Sequence, residues 1–449
     1  TNASFGGAPR YIEAGSSITV KVIINIKSSA APGTTLRTQI TASSRINSYD
    51  SVSGLAMASG RKSLTETPLN SSAATIKAKA GLSISRTSFM PAYLSQGQAD
   101  AHAVTFSFEN TAASGGADLK LNDFKIRVVD ENGSNLSPKD IISSVKVRDA
   151  QTTEVYTYTN PDSLTTVDFS GTPRTIEAAA ASDFEVYVTI HDTATAGKIF
   201  RLRITNGSKA SAEDALSGIS VTPSNAFPLA SGNAQIQIPA SLYLSADTQP
   251  RSLFMADTTQ QGTADVRMAA FHFNNSSDAA NGAQGALNEF VIHFKDENGD
   301  TLNIYGILDT IRIKRETGSE TTTLQTFNIA GQTHNLTVDF DAAPRTINAG
   351  DTLTLGVYVN INLSASVGAT MRAQMNDTPT VDFIDNNTDL AAEKTAASLP
   401  LVSDTTKISA AEPTAEAYFN SGRTTAQTNF SKGQTVYMKY WGLAGLTDY

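Results

Sequence analysis

Two short runs carry the oxygens that a hard cation would want. Asp130-Glu131-Asn132-Gly133-Ser134 and Asp296-Glu297-Asn298-Gly299-Asp300 set carboxylate and amide oxygens at alternate positions around a glycine, the composition of an oxygen-ligand calcium loop. A helix-loop-helix calcium site also needs a bidentate glutamate far downstream in a helical setting, and neither run has one. The simpler reading is a hairpin tip whose Asp and Asn bond their own backbone. No metal ligand is assigned on this basis.

The five histidines are His102, His191, His272, His293 and His334. When the repeated parts of the chain are overlaid, His102 faces Arg267, His191 faces Asn362, His272 faces Ser107 and His293 faces Arg127, so no histidine recurs. A Gly-x-Ser-x-Gly elbow, a His-Glu-x-x-His pair and a Gly-x-x-x-x-Gly-Lys loop are all missing. There is no cysteine, which removes thiol catalysis, disulfides and thiolate-bound zinc. The expectation is a protein that is not an enzyme, with no catalytic, cofactor-binding or metal residue to name.

Aromatic platforms for sugars need clustered Trp or Tyr. Tyr437, Tyr440 and Trp441 form one such cluster, but the preceding stretch alternates as an ordinary strand and reads as the start of a further domain. Phe89-Met90 and Phe254-Met255 read as core filling, because methionine adapts to irregular gaps. Asn-x-Ser/Thr sequons, among them Asn70, Asn275 and Asn386, matter only if the producing cell glycosylates its surface proteins.

The elements that would position any site come in repeats. Phe5-x-x-x-Pro9-Arg10, Phe169-x-x-x-Pro173-Arg174 and Phe340-x-x-x-Pro344-Arg345 lie 164 and 171 residues apart, and residues 88–108 resemble 253–273. Pro68-Leu69, Pro228-Leu229 and Pro400-Leu401 close the copies. A period of about 165 residues is too long for a solenoid unit, so each copy should hold its own core. The landmarks divide the chain into a truncated second half, 1–80, complete copies at 81–240 and 241–408, and a segment 409–449 that starts a further β domain or ends the chain. Each copy is either one elaborated sandwich or two small ones, divided near 160–166 and 330–336.

Within a copy the apolar period is two. Phe124, Ile126 and Val128 share a face, as do Phe290, Ile292 and Phe294, and Leu353 to Ile361 alternate through five apolar positions. That pattern belongs to strands with one face in a core and one in water. The Phe-x-x-x-Pro-Arg-x-Ile element should bury its aromatic, stop a ladder at the proline and return through a turn. Ala179 stands where Gly15 and Gly350 stand in the other copies, so this turn is expected to do without positive φ. The fold class is all-β: tandem antiparallel β-sandwiches.

The 449 residues carry a formal net charge of −9 without a basic run, which argues against nucleic acid or an anionic membrane as partner. No stretch reaches the ~20 apolar residues of a membrane helix. Thr1 falls inside a repeat, so upstream sequence is expected.

These tandem strand-rich repeats, with polar but weakly charged surfaces, resemble bacterial cell-surface and extracellular proteins built from Ig-like or fibronectin-like β-sandwich repeats. The resemblance is one of pattern along the whole chain and transfers no functional residue. It implies a secreted or cell-surface structural component, a filament, stalk or surface layer, that self-associates or contacts neighbouring copies. The alternatives are an adhesin or carbohydrate-binding array with a polysaccharide ligand, and an accessory region of a large extracellular enzyme. Half-domains at the two ends either complete one another between molecules or belong to intact domains of a longer chain.

Overall fold

The computed structural model describes residues 10–58, 61–65, 68–169, 171–247, 257–411, 414–418 and 437–441. Nearly all regular structure is β.

The first sandwich is built from β1 (Leu82–Ser88), β2 (Tyr93–Ser95), β3 (Ala101–Asn110), β4 (Leu119–Val129), β5 (Ile142–Asp149), β6 (Val155–Thr159), β7 (Leu164–Asp168), β8 (Ala181–Ile190), β9 (Ile199–Ile204) and β10 (Ala234–Gln237). One sheet runs β6-β5-β8-β3-β1 and the other β7-β4-β9-β10-β2. Strand β7 pairs antiparallel with β4 across the connection at 160–163, so the copy is one elaborated sandwich and not two small ones.

The second sandwich repeats this with β11 (Ser241–Ala246), β12 (Thr258–Gln260), β13 (Val266–Asn275), β14 (Gly285–Lys295), β15 (Leu308–Thr317), β16 (Glu320–Asn328), β17 (Asn335–Asp339), β18 (Thr352–Ile361), β19 (Thr370–Met375), β20 (Val381–Asp385), β21 (Glu393–Ala396) and β22 (Thr406–Ser409). Its sheets run β16-β15-β18-β13-β11-β21 and β12-β22-β19-β14-β20, the last ending on Leu390–Ala391. In both sandwiches the final strand pairs parallel with the short second one, β10 with β2 and β22 with β12.

Alternation explains the packing. Phe124, Ile126 and Val128 on β4 and Phe290, Ile292 and Phe294 on β14 are buried, as are Leu353 to Ile361 at alternate positions of β18. Two cores result, one drawn from Ala80 to Ile236 and the other from Ala240 to Ile408. The repeated aromatic is inside: Phe169 packs 5.2 Å from Phe184 and 6.0 Å from Phe124, and Phe340 lies 6.3 Å from Phe290, between ring centroids.

The turn after this element departs from expectation. Ala179 has φ +64°, beside +81° at Gly15 and +78° at Gly350. The backbone leaves no other choice, because Ala179 N donates to Asn110 O while Asn110 N donates to Ala180 O, at 3.1 and 2.9 Å. A side chain here accepts the left-handed strain that glycine avoids.

Thr414–Tyr418 and Tyr437–Trp441 form an antiparallel pair, as β1 does with β3. Ser431-Lys432-Gly433-Gln434 ahead of the second of these strands resembles Ser95-Gln96-Gly97-Gln98 ahead of β3.

Candidate functional site

The two Asp-Glu-Asn-Gly turns are closed by their own side chains. Asp130 Oδ1 accepts from Asn132 N and Ser134 N at 3.0 and 2.7 Å, and Asp296 Oδ1 accepts from Asn298 N and Asp300 N at 2.9 and 2.8 Å. Gly133 and Gly299 have φ +87° and +88°. Each leading carboxylate thus organises a turn, and among the described residues no group of three or more His, Asp or Glu is placed to hold a metal ion.

The histidines lie apart, four of them in separate polar contacts. His102 stacks between Phe89 and Tyr187, with centroids 4.2 and 4.7 Å away, and burial pushes its pKa down. His191 meets Asp192 at 2.7 Å. His293 meets Asn335 at 2.7 Å. His272 bridges Asp247 and Thr354 at 2.8 and 2.9 Å. His334 is exposed.

Phe89 was expected in the core, yet it is 51% exposed. Only Met90 packs against the core. Phe89 follows the edge strand β1 and lies over the outer face, where His102 supplies its partner. Phe254 and Met255 fall outside the described residues, as do the side chains of Tyr437, Tyr440 and Trp441. Asn275, a sequon, is fully buried and offers no glycan site in the folded chain.

The outer face of the second sandwich carries a connected charge network. Arg267 Nε and Nη2 donate to Glu316 at 2.7 and 2.5 Å, and Nη2 reaches Asp247 at 3.0 Å. Lys314 Nζ donates to Asp265 at 2.6 Å and sits 4.2 Å from the Tyr358 ring centroid. Burial and the Glu316 carboxylate push the Tyr358 phenol up to about 12. Burial works against the Arg267 charge, but Glu316 and Asp247 outweigh it and hold the guanidinium above its ordinary value. A Cβ at Gly356 would run into the Glu316 carboxylate, which would have to shift to admit it. The network satisfies its own charges and presents no activated nucleophile.

The most closely knit polar cluster lies between the sandwiches. Ser95 and Asp385 are buried, at 0% and 3% exposure. Ser95 Oγ lies 3.2 and 3.1 Å from Asp385 Oδ1 and Oδ2. Asn387 Nδ2 donates to Ser95 Oγ and to Gln237 Oε1 at 3.1 and 2.8 Å, while Gln98 Nε2 donates to Asn387 O at 3.0 Å. Asp385 also accepts from Asn387 N, Thr388 N and Ala240 N, at 2.8, 3.1 and 2.7 Å. The connecting residue is held by backbone bonds, Ile238 N to Asn281 O at 2.9 Å and Ala283 N to Ile238 O at 2.8 Å. The preceding junction has the same anchor, Ala117 N to Ala78 O at 2.8 Å, with Ala80 N donating to Asp214 at 2.9 Å. Sequence reasoning missed this joint. Its one visible signal was the recurrence of an aspartate, Asp214 and Asp385, before a turn near the end of each copy.

No protein-family model matches the chain, and no curated protein matches it in sequence. Among solved structures, the chain is similar to the fimbrial adhesin FimA of Actinomyces, at 13% identity over 72% of this chain and 99% of that one, with a TM-score of 0.20. It is also similar to BspA_C_WT, at 11% identity over 74% and 96% with TM-score 0.20, and to the collagen adhesin CNA of S. aureus, at 10% over 74% and 96% with TM-score 0.13. Scores this low carry no argument about this chain. The fold class therefore rests on the sheets and cores above.

Proposed function

We propose that the chain is a structural spacer of an extracellular or cell-surface assembly, a stalk or filament segment that carries no catalytic site. The observation that carries this reading is the joint. Tandem domains move freely unless the interface between them is substantial, and here the connection from Gln237 to Ala240 is pinned on both sides while a buried carboxylate is shared across the gap. A joint in which every buried polar group has a partner is rigid, and rigidity is what a spacer needs.

The chain has no cysteine, so two introduced cysteines can be spin-labelled cleanly. Labels at Thr157 on β6 and Thr322 on β16 should give one narrow distance distribution. A broad distribution would sink the spacer reading.

A second reading, carbohydrate contact, is favoured by the exposed Phe89, which stacks on His102, since an aromatic face is what a sugar ring packs on. Saturation-transfer NMR with bacterial polysaccharides tests it: signal lost in Phe89→Ala supports it, and no signal ends it.

A further inference from the structure

The outer faces of two equivalent sheets carry rows of opposite charge. On the first sandwich Arg127 of β4 stands directly opposite Arg203 of β9, and Arg201 lies two residues along the same strand. Their neighbours Ile126, Val128 and Leu202 fill the core, so the three arginines share the outer face, where they are half-buried. Arg203 Nη2 donates to Gly133 O at 2.8 Å. A Cβ built on Gly133 would lie 2.7 Å from Arg203 Nη1 and 3.6 Å from Arg201 Nη2, so the two guanidiniums converge on that turn. Asp130 of the same turn is engaged by its own backbone. Among the described residues none of the three arginines has an ion pair, whereas Arg148, Arg174, Arg267 and Arg312 each do.

On the second sandwich Glu289 of β14 stands opposite Asp339 of β17 on one side and Asp382 of β20 on the other. The adjacent Phe290, Val338 and Val381 are in the core, so the three carboxylates share the outer face. Asp339 and Asp382 are exposed and Glu289 is half-buried. Asp382 accepts from Asn288 Nδ2 at 2.9 Å, and among the described residues no Lys or Arg forms an ion pair with the row.

The fold requires neither row. Arg201 recurs as Arg372, whose Nη2 approaches Gly299 in the same way, but Arg127 and Arg203 become His293 and Gln374 in the second sandwich. Asp382 is Ser211 in the first, beside Asp123 and Asp168, where Lys125 attracts Asp123. Like charges directly opposite on neighbouring strands are destabilising, so each row carries a cost that a surface of opposite sign removes.

We propose that the partner is a second copy of this chain, the Arg127, Arg203 and Arg201 face of one molecule packing on the Asp339, Glu289 and Asp382 face of its neighbour. Arginine forks match carboxylates bidentately. The Nε atoms of all three arginines are buried, which limits what these side chains lose on binding. Because each chain carries both rows, the contact either closes into a pair or repeats as a staggered run. Exposed charge pairs are individually weak and screened by salt, so the association depends on concentration and on salt. The inference rests on the assembly part of the proposed function and not on the stiff joint. Stiffness is read within one chain, in high salt where the contact is off, so the two fail separately.

The test is sedimentation velocity of the full chain at ~50 and ~500 mM salt, with association expected at the lower and lost at the higher. Arg127→Glu with Arg203→Glu leaves a chain with no basic row, and Glu289→Lys with Asp382→Lys leaves one with no acidic row. Each double variant alone should be monomeric. An equal mixture of the two should associate at least tenfold more tightly than either alone, which also shows that both are folded. Glu289→Gln with Asp382→Asn, which keeps the side-chain shapes, should weaken self-association by ~tenfold. The proposal is overturned if the unaltered chain is monomeric at low salt, if any of these variants self-associates as tightly as the unaltered chain, or if the mixture stays monomeric. Alginate serves as a polyanion probe. Alginate binding that needs Arg127 and Arg203 and is indifferent to Glu289 and Asp382, in a chain that does not self-associate, also overturns it by making an anionic polysaccharide the occupant.

Discussion

The Ser95 hydroxyl at the base of the first sandwich lies 3.2 and 3.1 Å from the two carboxylate oxygens of Asp385 at the top of the second. Both side chains are buried. The carboxylate has backbone and hydroxyl donors on every side, so it needs no counter-cation to stay in place. Removing it leaves the N–H groups of Ala240 and Asn387 without this acceptor, while Thr388 N keeps its bond to the Asp385 carbonyl.

Asp385→Ala should therefore loosen the joint before it unfolds anything. The spin-label distance between positions 157 and 322 is expected to broaden, with a loss of about 2–4 kcal/mol in the second sandwich from the orphaned donors. Ser95→Ala removes one donor of several and should broaden the distribution less. Equal, narrow distributions in all three proteins would show that the backbone bonds of Ile238 alone set the angle.

Asn110 and Asn275 occupy the same place in the two sandwiches and make the same four bonds. Asn110 Nδ2 donates to Ala117 O and Ile176 O at 3.0 and 3.1 Å, and its Oδ1 accepts from Gly81 N and Ala112 N at 3.3 and 3.2 Å. Asn275 bonds Ala283 O, Ile347 O, Ser241 N and Ser277 N at 2.9, 3.0, 3.4 and 3.3 Å. Both are 0% exposed. Asn275→Ala should destabilise the second sandwich by about 3 kcal/mol or more, since several buried backbone groups lose partners together. Urea denaturation measures it, and Asn110→Ala should do the same to the first sandwich.

Ala179 and Gly350 offer a pair of opposite substitutions. Ala179→Gly relieves a left-handed residue and should stabilise the first sandwich by about 1 kcal/mol, the unfolded-state entropy of glycine taking back part of the gain. Gly350→Ala should be destabilising twice over, because φ is +78° and an added Cβ would lie 2.8 Å from that of Ala279. Melting temperatures that move the other way would refute the strain argument.

These sites differ in how far the sequence announced them. The strands were legible because Phe124, Ile126 and Val128 alternate, and burial follows alternation whenever a sheet has one wet face. The self-closed Asp130 and Asp296 turns were legible because their bonds are local. The Ser95–Asp385 contact was not, since it joins residues 290 apart and each looks ordinary in its own neighbourhood. Ala179 misled for a related reason. Alanine suggests relaxed backbone, but the φ there is imposed from outside by the pairing of Asn110 with the turn.

His102 makes the first sandwich sensitive to mild acid. Burial between Phe89 and Tyr187 lowers its pKa below the usual histidine value of 6.5, so as pH falls through 6.5 the unfolded chain takes up a proton before the folded one. The stability this neutral ring lends is fully present above pH 6.5 and is lost as pH falls through the lower folded value. The melting temperature of the first sandwich should thus drop between pH 7.5 and 5.5. His102→Phe keeps an aromatic ring in the stack but cannot titrate, and it should shrink that drop. Differential scanning calorimetry of both proteins at the two pH values decides the point: an identical drop in the variant would mean that His102 does not carry the acid sensitivity.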